Sequence, residues 1–288
     1  MRFGLVGTGP WAAMAHGPGL AGVDEVELVG VWGRHLDRAR PLAEQLGVRA
    51  YDDYAALLSD VDAVAFTVPP EVQAAMATEA AKAGKHLLLE KPVAASVPAA
   101  RALADAARDV ASVVFFTDRF ASTSRAWFED VGRTGGWHGA WMRWFSALQQ
   151  ADNPFGSSPW RHQMGALWDT GPHAFSTLTA ALGPVTGVVA AAGAGDLVNL
   201  TLRHEAGPTS TVTLTQFAPP AAETYDVTLW GDAGFSAMPQ RQGSPHEPLA
   251  VAARELIASA ESGEPHEVDV RFGARVVELV AEAQSQLT

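Results

Sequence analysis

A chain of 288 residues with 48% hydrophobic and 18% charged side chains has the apolar material for a sizeable core, and about two domains of average size account for its length. Its 27 Gly and 18 Pro follow no repeat, so the composition excludes collagen-like, coiled-coil and disordered classes. A net charge of −12 with no visible basic patch argues against nucleic-acid and membrane partners, and the absence of cysteine removes disulfides, thiolate nucleophiles and cysteine metal sites and suits a reducing, cytoplasmic setting.

The first elements alternate between two periods. Phe3 to Val6 reads as a strand that stops at Gly7; Gly7-Thr8-Gly9-Pro10-Trp11-Ala12 follows as a turn, and an Ala-rich helix runs toward Gly19 and Gly22. Arg2 and Ala13-Met14-Ala15 faintly suggest a leader, but Gly4, Gly7, Gly9 and Pro10 break the apolar stretch, so a folded N-terminus is the expectation. No segment approaches the ~20 apolar residues of a membrane span. Val26 to Trp32 is a second strand, Leu36 to Leu46 a helix, Asp53 to Leu58 a short helix and Ala63 to Val68 a strand ended by Pro69-Pro70. Glu71 to Ala83, His86 to Leu89, Val97 to Ala107 and Val113 to Phe116 continue as helix, strand, helix, strand. Strands separated by helices require right-handed crossovers, hence an α/β domain with a doubly wound, Rossmann-type parallel sheet over residues 1–118.

Beyond residue 118 the pattern changes. His138 to Leu148, Thr186 to Ala192, Leu197 to Arg203, Thr209 to Gln216 and Thr224 to Trp230 read as strands with few helices between them. They predict a second α+β domain, residues 119–288, built on a largely antiparallel open sheet. Its helices are Pro172 to Leu182, Leu249 to Ser262 and Arg271 to Gln286.

The spacing Gly7-x-Gly9-x-x-Ala12 stands between the first strand and first helix, where a dinucleotide turn belongs. Glycine there allows the tight turn and lets the backbone approach a pyrophosphate at the helix N-terminus. The second strand ends in Trp32-Gly33-Arg34-His35, with no carboxylate for a ribose 2′-hydroxyl; Arg34 pairs naturally with a 2′-phosphate, which favours NADP over NAD.

Leu87-Leu88-Leu89-Glu90-Lys91-Pro92, taken with the glycine turn, resembles the Gfo/Idh/MocA family of nicotinamide-dependent oxidoreductases, which acts mainly on sugars, cyclitols and their derivatives. Thr67-Val68-Pro69-Pro70 is similar to the family's segment beside the nicotinamide ribose, and Ala83-Gly84-Lys85-His86 to its approach to Glu-Lys-Pro. Asp118-Arg119-Phe120 looks like the entry to the second domain, and Trp160-Arg161 and Asp169-Thr170-Gly171-Pro172-His173 like second-domain active-site segments. The resemblance implies cofactor contacts at Gly7, Thr8, Gly9, Pro10, Trp11, Ala12, Gly33, Arg34, Thr67, Pro69, Pro70, Glu90 and Lys91, and substrate contacts at Lys91, Arg119, Trp160, Arg161, Asp169 and His173. Pro70, Gln73 and Ser176 depart from the family's usual residues, and the second domain is short.

The chemistry of these residues agrees with that implication. Lys91 follows a strand's carboxyl end, where ligands of open parallel sheets bind, and its ammonium favours deprotonation of a bound hydroxyl. Glu90 positions Lys91 or the backbone. His173, with an ordinary pKa of about 6.5, is the proton acceptor, and Asp169, in the turn entering its helix, holds the tautomer. The remaining histidines have no metal-ligand spacing, so no metal is assigned, and no Gly-x-Ser-x-Gly elbow supports a hydrolase. Six of nine tryptophans lie between Trp127 and Trp168, favouring sheet packing or an oligomer interface over sugar stacking. The expectation is an NADP-preferring enzyme, NAD also being possible, that interconverts a secondary alcohol and ketone of a sugar, cyclitol or related polyol and forms a homo-oligomer, a dimer or tetramer. Rival readings are a non-catalytic nucleotide- or sugar-sensing regulator on the same fold, or a reductase of non-carbohydrate carbonyls or diols.

Overall fold

The structure, a computed structural model, describes residues 1–148 and 159–287. By its internal contacts the chain divides into two compact units, one of residues 1–120 and 243–277 and the other of residues 121–242 and 278–288. The linear division at 118 therefore departs from the packing in one respect. Residues 243–277, assigned by sequence to the second domain, return to the first unit, where Val114 donates its N–H to the carbonyl of Val268 at 2.8 Å.

In the first unit, β1 (Arg2–Val6), β2 (Glu27–Trp32), β3 (Arg49–Tyr51), β4 (Ala63–Phe66), β5 (His86–Glu90) and β6 (Ser112–Phe115) form one parallel sheet in the order 3-2-1-4-5-6. That order reverses between β1 and β4, which makes their carboxyl ends the place where a ligand binds. Helices α1 (Gly17–Ala21), α2 (Leu36–Leu46), α3 (Tyr54–Asp60), α4 (Pro70–Lys82) and α5 (Val97–Ala106) supply the crossovers, followed by the short α6 (Thr117–Phe120). Local signals place them: the Asp53 carboxylate accepts from the N–H groups of Ala55 and Ala56, Ser96 caps α5, and Gly47 ends α2 in the left-handed region at φ 68°. The central strand β4 and the edge strand β6 are both buried along their whole length, as expected of a parallel sheet covered on both faces.

The second unit holds α7 (Ser122–Thr134), β7 (Trp137–Phe145), α8 (Pro159–Asp169), α9 (Gly171–Leu182), β8 (Val185–Ala192), β9 (Val198–His204), β10 (Thr209–Thr215), β11 (Thr224–Gly231) and β12 (Gly234–Ala237). Its sheet order is 12-11-7-10-9-8, antiparallel except where β7 and β10 run parallel. Strict alternation of buried and exposed residues along β9 shows a sheet with one covered face. The uncovered side leaves Trp141, Trp230 and Phe235 exposed. The chain closes with α10 (His246–Ser262) in the first unit and α11 (Val270–Gln284), after which the Gln286 side chain bonds both to the Val188 carbonyl and to the Ala190 N–H of β8.

Candidate active site

The carboxyl edge of the parallel sheet gathers the motifs of the first unit. Gly7 leaves β1 at φ +126°, and a Cβ there would collide with Thr67, the residue that ends β4. Thr67 in turn donates its hydroxyl to the Val6 carbonyl at 3.1 Å. A Cβ on Gly9 would meet no protein atom within 4 Å, so this glycine keeps the backbone open to approach from outside. Gly33 lies against Thr8, whose Cγ2 stands 2.8 Å from where a Cβ would be. Arg34 is exposed and, among the described residues, has no ion-pair or hydrogen-bond partner; Pro69 precedes α4 and Pro70 is its first residue. One glycine required by crowding and one left clear fit a dinucleotide turn, with residues 7–12, Gly33, Arg34 and Thr67 as its surroundings.

The helix that follows is not uniform. Ala12–His16 form a π turn, closed by the Gly17 N–H on the Ala12 carbonyl, before α1 begins. The Trp11 indole donates to Glu90 Oε1 at 2.7 Å, and His16 Nε2 lies 2.8 Å from the same oxygen. Glu90 Oε2 accepts the Lys91 N–H at 3.2 Å. The Gln73 amide clamps the Glu90 backbone from both sides, donating to its carbonyl at 2.7 Å and accepting from its N–H at 2.9 Å. Lys91 is half-buried and joined to Pro92 by a cis peptide bond. Arg119, expected at the substrate, forms an ion pair with Glu267 at 2.7 Å inside the same unit.

In the second unit Asp169 is the last residue of α8 and not part of an entering turn, because Thr170 keeps helical angles and bonds to Ala166, so α8 and α9 abut. Asp169 Oδ2 accepts from Arg161 Nε at 3.1 Å and from Gln216 Nε2 at 2.8 Å. The Arg161 guanidinium also lies over the Trp160 ring, 4.9 Å from its centroid. His173 is buried in the first turn of α9, and its ring packs against Trp144 at 5.4 Å, which itself meets Tyr225 edge-on at 4.7 Å. Sequence reasoning left out Gln216 and His16. Gln216 stands alone just past a strand end, and His16 sits one step out of register for an α-helix facing Glu90. Among the described residues no group of three His, Cys, Asp or Glu is placed to hold a metal, and no helix is long and apolar enough to cross a membrane.

A parallel 3-2-1-4-5-6 sheet with this glycine turn defines a Rossmann-type dinucleotide-binding fold. Residues 1–117 match the Gfo/Idh/MocA family model described as "Oxidoreductase family, NAD-binding Rossmann fold". The chain is 33% identical over 141 residues to dTDP-3,4-didehydro-2,6-dideoxy-alpha-D-glucose 3-reductase of Streptomyces violaceoruber, a match spanning 47% of this chain and 41% of that protein. Among solved structures, levoglucosan dehydrogenase in complex with NADH and levoglucosan superposes with a TM-score of 0.88 at 17% identity, covering 99% of this chain and 96% of that one. The 3-ketoreductase KijD10 from Actinomadura kijaniata, in complex with TDP-benzene and NADP, gives 0.76 at 22% identity over 100% of this chain and 98% of that one. The structural likeness establishes the fold of both units.

Proposed function

We propose that the chain is an NADP-preferring oxidoreductase that interconverts a secondary alcohol and a ketone on a sugar, cyclitol or related polyol. The observation that carries this reading is the placement of Lys91 at the end of β5, on the sheet edge that also bears the glycine turn at Gly7. One named structural neighbour is a dehydrogenase bound to NADH and levoglucosan and the other a 3-ketoreductase bound to TDP-benzene and NADP, which supports the same assignment.

A bound nicotinamide supplies the hydride acceptor or donor, and the residues of the chain manage the proton. In the oxidising direction His173 takes the proton of the reacting hydroxyl, the carbinol C–H leaves as hydride and the C–O bond becomes a carbonyl. Asp169, held by Arg161 and Gln216, orients His173, while the Lys91 ammonium holds the oxygen and stabilises its growing negative charge. Arg34, exposed just past β2 and without a partner among the described residues, meets a 2′-phosphate. The open face with Trp141, Trp230 and Phe235 pairs with a second copy of the chain, a cytoplasmic homo-oligomer whose mass by light scattering exceeds the 30.3 kDa of one chain.

The test is isotope transfer. NADPH and NADH deuterated at the nicotinamide C4 are offered with a panel of keto-sugars, keto-cyclitols and simple ketones. Deuterium on a carbinol carbon of a sugar or cyclitol is the expected result. Binding of cofactor with no transfer across the panel rejects the catalytic reading, and transfer only to non-carbohydrate ketones rejects the substrate class.

A further inference from the structure

We infer that His16 is a positioning residue for Lys91, brought to its task by the π turn of residues 12–16; this deepens the reading of Lys91 as the group that holds the reacting oxygen. In an α-helix, residues five apart point about 140° away from each other, so Trp11 and His16 would face different sides. The π turn, closed by the Gly17 N–H on the Ala12 carbonyl, inserts one residue into the turn and brings both side chains onto a single atom, Glu90 Oε1, at 2.7 and 2.8 Å.

The protonation pattern follows from the partners. A carboxylate only accepts, so His16 Nε2 carries the proton that bonds to Glu90. His16 is fully buried and its Nδ1 has no hydrogen-bond partner among the described residues, so Glu90 is the one polar group its ring bonds there. The Phe115 ring stands edge-on to it at 5.8 Å. With Oε1 taken by two donors and Oε2 by the Lys91 N–H, the Glu90 carboxylate has one orientation. Gln73 holds the backbone, bonding to the Glu90 N–H and to the carbonyls of Glu90, Pro92 and Val93, so Trp11 and His16, with the Lys91 N–H, set the orientation of the Glu90 carboxylate. The π turn follows directly on Gly7 to Ala12, so the segment expected around the pyrophosphate leads into the one that orients Glu90.

The chain has three lysines, Lys82, Lys85 and Lys91, which permits a test needing neither substrate nor cofactor. Limited acylation with acetic anhydride followed by peptide mass spectrometry reads Lys91 against Lys85, whose Nζ donates to the Val61 carbonyl in the same unit and reports that the unit is folded. His16→Phe keeps a buried ring and removes the donor; the released carboxylate turns to the ammonium, holds its proton, and slows Lys91 acylation ~3-fold or more with Lys85 unchanged. Trp11→Phe, which removes the other donor, shifts the ratio the same way and decides the matter if His16→Phe does not fold. His16→Gln, with an N–H near the Nε2 position, restores the wild-type ratio, and His16→Phe adds nothing in a Glu90→Gln background because no carboxylate is left there to be released. An unchanged ratio in both Phe variants, or His16→Gln behaving as His16→Phe, overturns the inference. A normal set of ratios in a chain that transfers no deuterium rejects the catalytic reading and leaves the positioning intact.

Discussion

Two carboxylates, one in each unit, are held in opposite ways. Glu90 is bound by an indole and an imidazole on one oxygen and by the Lys91 N–H on the other. Asp169 is bound by a guanidinium and an amide, so its charge is paired with that of Arg161. The first arrangement orients a carboxylate against the Lys91 backbone, and the second pairs one with a guanidinium. Removing either group therefore has different costs.

The largest effect on stability is expected at the compensated site. Asp169→Ala leaves Arg161, whose side chain is 21% exposed, without its carboxylate, and should cost about 3 kcal/mol, read from urea unfolding. Glu90→Gln strands no cation and should cost about 1 kcal/mol. Equal losses would erase the distinction. Gly7→Val comes next: its backbone stands at φ +126° and a Cβ would strike Thr67, so the expected loss is about 2 kcal/mol together with cofactor binding. Arg34→Ala should weaken NADPH about 10-fold, equivalent to about 1.4 kcal/mol, and leave NADH unchanged in a fluorescence titration. Equal weakening of both cofactors would remove the 2′-phosphate role.

The smallest effect concerns pH. Burial pushes His204 below the ordinary histidine range, against the opposing pull of its bond to the Gly183 carbonyl, while Nε2 bonds to Ser210. The unfolded chain then binds the proton more tightly than the folded one, so this contribution is complete above about pH 6.5 and is lost as the pH falls through the folded value. His204→Gln should flatten the fall in stability of the second unit below pH 6.5. A slope identical to wild type would show that the ring does not titrate there.

The two units also differed in how much the sequence disclosed. In the first, period and punctuation agree: Gly7, Asp53, Gly47 and Ser96 mark boundaries that local chemistry enforces, and the structure places them there. The three-residue β3 escaped because it is too short to show a period. In the second unit α7 was missed because STSRAWFEDVGRT carries Gly132 and few aliphatic residues, and its burial rests on Ser124, Trp127 and Val131. The parallel pairing of β7 with β10 is a long-range choice that no local pattern records. Gln216 and His16 were illegible for a related reason: each acquires its role from a partner 47 or 74 residues away.

The central claim is that cofactor binding belongs to the first unit while proton transfer depends on His173 of the second. It is tested most directly by measuring NADPH affinity and kcat of His173→Ala on a substrate identified by deuterium transfer. The account predicts an unchanged Kd for NADPH with kcat lowered ~10²-fold or more, the usual size of a lost general acid–base contribution. Near-normal turnover by the variant would contradict it.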